Sequence, residues 1–437
     1  MLDKIITALH SLLPNFITER FLTSITRGGF KKYLKNTGWM FFARIFLMGT
    51  NFFVAAYLAR YLEPTDFGTY NYIISFVGLF SFIAGLGIDA ILSRELLLYK
   101  EKRSEILGAA FYIYITSALL ALIASNTVAF FTDTSLETKF LIFIFSLTFL
   151  FQSSGIFNVY FQSFVQAKKN AIIQIITNII SSLLKIIGFV TGQGILWFIV
   201  LFIVEATINA LWAFSLFKKM GEKINWTINT MMMKELVRKA FPFMLTIVAA
   251  SIYLKIDQVM IAHILGVKET GIYSVAVRLA ETWYFIPSLI CASLFPAIVN
   301  AKTTDIKTYY SRIRSLITLM IVSAILLAVP LFIFTPYIIT YLYGPLYEGA
   351  IIPFQIYIWS SISIFIMPAL AAYMTTENLG KPLLMSTVYG AIANVFLNII
   401  LIPQYGIIGS ALATFISYTI PATYLYIIFT RQEQKIL

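Results

Sequence analysis

Residues 315–337, SLITLMIVSAILLAVPLFIFTPY, contain no charged side chain over 23 positions. About 20 apolar residues in a helix cross the hydrocarbon layer of a bilayer, so this stretch predicts a transmembrane helix. A helix is expected because an open strand in lipid leaves backbone groups without hydrogen-bond partners. The whole sequence predicts twelve such spans: 38–60, 68–91, 106–131, 139–160, 171–191, 195–217, 241–264, 271–298, 315–337, 350–373, 382–402 and 407–430.

The composition favours an all-α integral membrane protein over a soluble one. Of 437 residues, 59% are hydrophobic and 12% are charged, whereas about a quarter of the residues in a soluble domain are charged. The net charge of +12 would suggest nucleic acid in a soluble protein. Here the charges lie between apolar runs, so anionic lipid and membrane topology explain them and no nucleic acid is expected.

The residues that catalysis needs are missing from the sequence. A single cysteine, Cys291, cannot form an internal disulfide, and His10 and His263 are too few and too far apart for a zinc or iron site. The chain has no phosphate-binding loop for ATP and no serine or cysteine nucleophile with a histidine nearby. We therefore expect no enzyme activity, no metal and no cofactor.

The positive charges predict the orientation in the membrane. Loops on one side hold 25 of the 32 lysines and arginines, and loops on the other side hold three. Because positive charge accumulates on the cytoplasmic side, both termini are expected there. An odd number of spans would destroy this separation.

A short repeat divides the chain into two halves. Residues 59–70, ARYLEPTDFGTY, align with residues 262–273, AHILGVKETGIY, at an offset of 203. Parallel repeats of this kind are a transporter architecture with the substrate between the lobes, so the sequence predicts two six-helix lobes around a central cavity. The predicted order is an amphipathic cytoplasmic segment (1–35), the first lobe (36–217), a basic cytoplasmic linker (218–240) and the second lobe (241–437).

Proline is concentrated in the second half. Eleven of the 13 prolines follow residue 240, and proline kinks a helix by removing a hydrogen bond. The second lobe is therefore expected to be the more bent one.

Seven charged residues lie inside the predicted spans and away from the span ends, where a charge is costly and marks a candidate functional site. The cations, candidates for substrate binding, are Arg44, Lys185, Lys255 and Arg278. The acids are Glu205, Asp257 and Glu281. If the cations line one cavity, they form a path for a substrate with an anionic part, such as a phosphate or diphosphate.

Each of these residues also has a structural interpretation. Arg44 and Lys185 are near enough to an interface to reach it with their head groups. Arg278 and Glu281 are three residues apart and can form an ion pair on one helix face, whereas Lys255 and Asp257 point to different faces. Glu205 shares a face with Asn209, which suggests either a cation site or a polar contact between helices.

The start of the chain resembles a known family. The motifs are N-x-x-W (Asn36, Trp39), A-R-Y-L (59–62), D-F-G-x-Y (66–70), G-L-G-I-D (85–89) and R-E (Arg94, Glu95). Together they resemble the Wzx-type polysaccharide-repeat flippases of the multidrug/oligosaccharidyl-lipid/polysaccharide exporter superfamily.

The resemblance implies translocation by alternating access. The expected substrate is an undecaprenyl-diphosphate-linked oligosaccharide, carried from the cytoplasmic to the periplasmic leaflet of the bacterial inner membrane. It implies a role in O-antigen, capsule or exopolysaccharide biosynthesis beside a polymerase and a chain-length regulator. It also implies cavity cations that hold the substrate. From the proposals made for relatives, it implies coupling to a proton or sodium gradient, for which Asp257, Glu281 and Glu205 are the candidate residues.

Two other functions fit parts of the sequence. A multidrug cation antiporter of the same superfamily would favour a cavity of acids and aromatic residues. The predicted spans contain four cations and three acids, which disfavours this function. A membrane glycosyltransferase or polymerase would need a large catalytic loop on the outer side, and the loops there are short.

Overall fold

The computed structural model describes residues 28–164, 166–221 and 224–436, and within these ranges the chain is helical with no β-strand. This confirms the prediction of an all-α membrane protein. The predicted amphipathic segment, 1–35, lies mostly outside the described residues. The helices are α1 (Gly28–Gly78), α2 (Ser81–Gly85), α3 (Asp89–Leu98), α4 (Arg103–Phe130), α5 (Leu136–Ser146), α6 (Gly155–Ser163), α7 (Ala167–Val190), α8 (Ile195–Lys219), α9 (Thr230–Ile264), α10 (Val267–Glu281), α11 (Phe285–Thr304), α12 (Ile306–Leu342), α13 (Ile351–Tyr357), α14 (Ser360–Thr376) and α15 (Gly380–Ile436).

Several helices begin at a polar residue that caps the first turn. The Ser135 side chain accepts from Thr138 N before α5, Asn229 accepts from Met232 N before α9, and Asp305 accepts from two amides before α12. These oxygens satisfy backbone N–H groups that have no partner within the helix. The caps therefore mark where the chain turns back toward the membrane.

Among the described residues, nine helices are long and apolar enough to cross a membrane. The number becomes ten if Pro345–Tyr357 and Ser360–Thr376, which meet at 45°, form one bent span. The long helices α1 and α15 each consist of two helical segments that meet at a kink. The kink lies at Glu63 in α1 and at Gly406 in α15. The count of twelve spans stays a prediction.

The packing distinguishes the two ends of the bundle. We call the end that contains residues 94–103 and 218–239 the basic end, and the end that contains 60–66 and 264–268 the opposite end. At the basic end each half has its own core, around Leu107 and Phe161 in the first half and around Tyr310 and Leu370 in the second. Toward the opposite end, a single core draws buried residues from both halves.

The kink at Glu63 has an unusual backbone conformation. Glu63 has φ 58° and ψ 171°, and its repeat equivalent Gly266 has φ 99° and ψ 167°. Such angles are favourable only for glycine and cost other residues about 1–3 kcal/mol. The same turn is therefore relaxed in the second half and strained in the first.

Replacing Glu63 by glycine is expected to stabilise the protein. The relief of strain outweighs the greater freedom that glycine gives the unfolded chain, which costs about 0.5–1 kcal/mol. The net gain is about 1 kcal/mol, seen as a higher midpoint of thermal unfolding in detergent. Glu63→Ala, which removes the charge and keeps the strain, is the control. A lower midpoint for Glu63→Gly, or an equal rise in both variants, would contradict a strained turn.

Candidate functional site

The two halves meet at a pair of glycines near the opposite end. A Cβ on Gly68 would lie 1.7 Å from the Val267 carbonyl oxygen, and a Cβ on Gly271 would lie 2.0 Å from the Pro64 carbonyl oxygen. Gly68 and Gly271 are also partners in the repeat of offset 203. The equivalent helices of the two halves therefore cross with their backbones in contact, along an interface that we call the seam.

Hydrogen bonds close the seam at the opposite end. The Arg60 guanidinium donates to the Tyr341 carbonyl, and the Tyr347 hydroxyl donates to the Ala59 carbonyl at 2.6 Å. Both bonds join the first part of α1 to the second half of the chain. The opposite end is closed in this conformation.

Polar contacts continue along the seam toward its middle. The Tyr72 hydroxyl and His263 Nε2 are 3.2 Å apart, and the Ser75 hydroxyl donates to Gln258 Oε1 at 2.8 Å. Ser75 and Gln258 are buried, so each hydrogen bond compensates for the loss of water. An opening of the seam would have to break these pairs.

Below these contacts, both crossing helices break at equivalent positions. The first break comes at residues 79–80 between α1 and α2, and the second at 282–284 between α10 and α11. An offset of 203 places residues 79–80 on 282–283. Discontinuous helices near the midplane are where transporters of this architecture form substrate sites, so the paired breaks define the candidate site.

Lys255 lies at the first break, on a helix of the other half. Its Cγ is 3.8 Å from the point where a Cβ on Gly78 would stand, and its side chain is half-buried. Its charge acts on Glu281, the last residue before the second break. Lys255 therefore lies between the two breaks.

Arg278 connects this region to the charges of the first half. It is half-buried one turn before the second break, and its charge acts on Glu281 and Lys185. Lys185 is 8% exposed, within electrostatic range of Glu205, and its ammonium is 5.7 Å from the Phe202 ring centroid. Lys185, Lys255 and Arg278 thus belong to one electrostatic cluster.

None of these cations forms a direct ion pair within the described residues. The four ion pairs there join Lys239 to Glu95 and Glu235, Lys302 to Glu377 and Arg314 to Glu433, all near the basic end. The suggested Arg278–Glu281 ion pair is therefore not formed in this conformation. The cations near the breaks remain available to an anion.

The acids have separate environments. Asp257 is 3% exposed, and it accepts hydrogen bonds from Gln258 N at 2.7 Å and from the Tyr273 hydroxyl at 3.0 Å. Glu281 Oε1 is buried and accepts no hydrogen bond from any described residue. This oxygen is therefore a second acceptor beside the breaks.

Two sequence expectations about the first half fit the structure less well. Arg44 is exposed on α1, and no described contact joins it to the other three cations. The amide of Asn209 donates to the backbone carbonyl of Glu205 at 2.9 Å. This amide therefore serves its own helix and does not make the suggested contact between helices.

Sequence reasoning missed several residues of the site. Tyr70 is buried within electrostatic range of Glu205 and Arg278, and Tyr273 holds Asp257. The two tyrosines occupy equivalent positions of the repeat. This equivalence was the signal in the sequence that could have identified them. Among the described residues, no group of three or more His, Cys, Asp or Glu is placed to hold a metal ion.

Comparisons with known proteins identify related sequences. A family model described as "Polysaccharide biosynthesis protein" matches residues 33–302. The chain is 26% identical over 178 residues to the "Probable flippase AglR" of Haloferax volcanii, an alignment that covers 38% of this chain and 36% of the relative. The chain thus spans about a third of the length of that curated relative.

Two solved structures share the fold. "Lipid II flippase MurJ, inward closed conformation" superposes with a TM-score of 0.72 at 20% identity, covering 90% of this chain and 87% of that one. An inward-facing multidrug resistance MATE family transporter of the MOP superfamily superposes with a TM-score of 0.70 at 13% identity, covering 89% and 94%.

Proposed function

The chain belongs to the polysaccharide biosynthesis protein family, and from that membership and the site at the seam we propose that it is a flippase for lipid-linked oligosaccharides. The proposed substrate is an undecaprenyl-diphosphate-linked repeat unit, carried from the cytoplasmic to the periplasmic leaflet. The cell would use it to build O-antigen, capsule or exopolysaccharide. The polymerase and chain-length regulator of that pathway are the proposed partners.

One observation supports this substrate above all. Lys255 and Arg278 lie beside paired helix breaks on the seam without a carboxylate in direct contact. A half-buried cation without a close counter-ion is partly desolvated, and a diphosphate would supply negative charge with several acceptor oxygens. Arg44 and Lys185 are the proposed further contacts on the path of the substrate.

The packing supports alternating access from the basic end. The halves share a core near the opposite end and have separate cores at the basic end. We propose that the space between the separate cores admits the head group from the cytoplasmic side. In this arrangement both termini are cytoplasmic and the membrane is the bacterial inner membrane.

A reconstituted assay tests the proposal. Purified protein in proteoliposomes should move a fluorescent undecaprenyl-diphosphate oligosaccharide between leaflets, measured as the fraction protected from a membrane-impermeant quencher. The same lipid with a neutral linkage in place of the diphosphate should move far more slowly. Equal rates for both lipids, or export of organic cations instead, would reject the function and favour the multidrug antiporter.

We further propose that the acids couple transport to an ion gradient. Asp257, with Tyr273 and Thr414 nearby, is the first candidate, since the Tyr273 hydroxyl is 3.0 Å from its carboxylate and 3.4 Å from Thr414 Oγ1. Glu281 and Glu205 are the other candidates. Oxygen-rich sites of this kind suit a proton or a sodium ion.

Replacing Asp257 by asparagine keeps its shape and removes its charge. Coupling free energies between sites are typically about 1–3 kcal/mol, or 5- to 150-fold. In Asp257→Asn, the stimulation of flipping by an imposed proton or sodium gradient should decrease by a factor within that range. The flipping rate without a gradient should be unchanged. Asp133→Asn, at an exposed position of the opposite end, is the control. Unchanged stimulation in Asp257→Asn would exclude Asp257 as the coupling residue.

A further inference from the structure

Residues 225–227 of the linker between the halves are held against the first half by hydrogen bonds. The backbone N–H of Asn225 donates to the Ser104 carbonyl at 2.9 Å. The Tyr112 hydroxyl donates to the Trp226 carbonyl at 2.8 Å. The Asn225 side-chain oxygen accepts from Thr227 N at 3.0 Å and from its hydroxyl at 2.8 Å. These bonds fix the backbone on both sides of Trp226.

The held linker lies beside a membrane span. Trp226 packs edge-on against Phe111, with ring centroids 5.1 Å apart. Phe111 is eight residues into α4, which is about 12 Å along the helix axis. Trp226 therefore lies beside the first turns of a membrane span, and tryptophan is enriched where a span passes through the lipid head groups.

Apolar and basic side chains are exposed together on this part of the chain. Trp226, Ile228 and Met231 are 50%, 66% and 82% exposed. Lys234 and Arg238 follow on the first turns of α9, both exposed. We call these five residues the linker face. A surface with apolar tips and adjacent cations suits an anionic membrane surface.

The acids nearby do not neutralise the linker face. Lys239 is 2.7 Å from Glu235 and 3.0 Å from Glu95, and its hydrogen bond keeps the pKa of the Glu235 carboxyl below its usual value. Lys102 also acts on Glu235. Lys234 and Arg238 have no described acidic partner, while Lys218 and Lys219 add exposed positive charge at the end of α8.

We propose that the linker face binds anionic phospholipid of the adjoining leaflet, with the apolar side chains among the acyl chains and Lys234 and Arg238 on the phosphates. The bound lipid lies where α8 of the first half is joined to α9 of the second. It anchors the only covalent connection between the halves to the membrane surface.

Lipid binding by the full-length protein tests the proposal. Phosphatidylglycerol and phosphatidylcholine are titrated into the purified chain in detergent, and bound lipid is counted by native mass spectrometry. The double variant Lys234→Gln/Arg238→Gln should bind phosphatidylglycerol about 30-fold more weakly, from about fivefold for each charge. Lys307→Gln/Lys381→Gln removes two exposed cations elsewhere on the basic end and should leave this binding nearly unchanged.

The position of Trp226 gives a second measurement. In vesicles with brominated phosphatidylglycerol, the wild type should lose a fluorescence component that is absent from Trp226→Phe. If both double variants lose binding equally, the net positive charge of the protein and not the linker face determines lipid binding. That result would overturn the proposal. Equal binding of the two lipids, or no quenching of Trp226, would overturn it as well, the latter in favour of a linker that faces water or a protein.

Discussion

Alanine at Gly68 is expected to reduce flipping by tenfold or more. The added methyl group would lie 1.7 Å from the Val267 carbonyl oxygen, so the crossing helices must move apart before the opposite end can close. Inserting an extra group into a well-packed contact costs about 1–3 kcal/mol, and each 1.4 kcal/mol is a factor of about ten in an equilibrium. The closed conformation becomes rarer by that factor, and the transport cycle slows with it.

Flipping in proteoliposomes and chemical accessibility together measure this effect. A cysteine introduced as Ser75→Cys, in a Cys291→Ser background, reports whether a membrane-impermeant reagent reaches the seam from the opposite end. Gly68→Ala should increase its labelling, and Gly271→Ala should do the same from the other half. Gly49→Ala is the matched control, because nothing lies within 4 Å of a Cβ at Gly49. If Gly68→Ala flips lipid at the normal rate and the reagent still cannot reach its seam, the close backbone contact is not needed.

Alanine at Lys255 is expected to abolish surface polysaccharide while the protein remains inserted. The substitution removes the cation at the first break and takes away the positive charge that acts on Glu281. A charge-assisted hydrogen bond to a diphosphate contributes about 1.5–3 kcal/mol, so losing it should weaken substrate binding about tenfold or more. Arg44→Ala should have the same effect if the exposed Arg44 receives the substrate on its path.

A strain that lacks its own flippase allows the measurement. Surface polymer is quantified beside protein abundance, with Lys255→Arg expected to restore part of the function. Lys139→Ala removes a cation at the opposite end, where the ammonium bonds to the Phe130 carbonyl, and should leave the polymer intact. Full polymer in Lys255→Ala, Arg44→Ala and the double variant would reject the cationic path.

The repeat predicted more of the site than the individual charges did. An offset of 203 identified Gly68 and Gly271 as equivalent residues, but equivalence does not imply contact. Their contact follows from the pseudo-twofold crossing, a tertiary feature that sequence spacing does not contain. The residues Lys255 and Arg278 were found because charge is rare in an apolar span, although their common neighbour Glu281 suggested an ion pair that is not formed.

Helix breaks were predicted less well than spans. Proline suggested a more bent second half, yet the breaks at 79–80 and 282–284 occur in both halves at equivalent positions. Pro287 has no N–H to bond to the Trp283 carbonyl, so proline explains the second break. No proline follows the first break closely, so its position was not predictable from proline. Glu205 shows the same limit, since spacing placed Asn209 on its face but did not reveal that the amide bonds to the backbone carbonyl.

The crossing at Gly68 and Gly271 has an electrical consequence. A protein that moves a bulky head group through the membrane must not become a pore for small ions between turnovers, because such a leak would dissipate the membrane potential. Two backbones so close that a methyl group does not fit between them leave no gap for a hydrated ion. The glycine contact, the shared side-chain core and the hydrogen bonds of Arg60 and Tyr347 thus insulate the membrane together while the seam is closed.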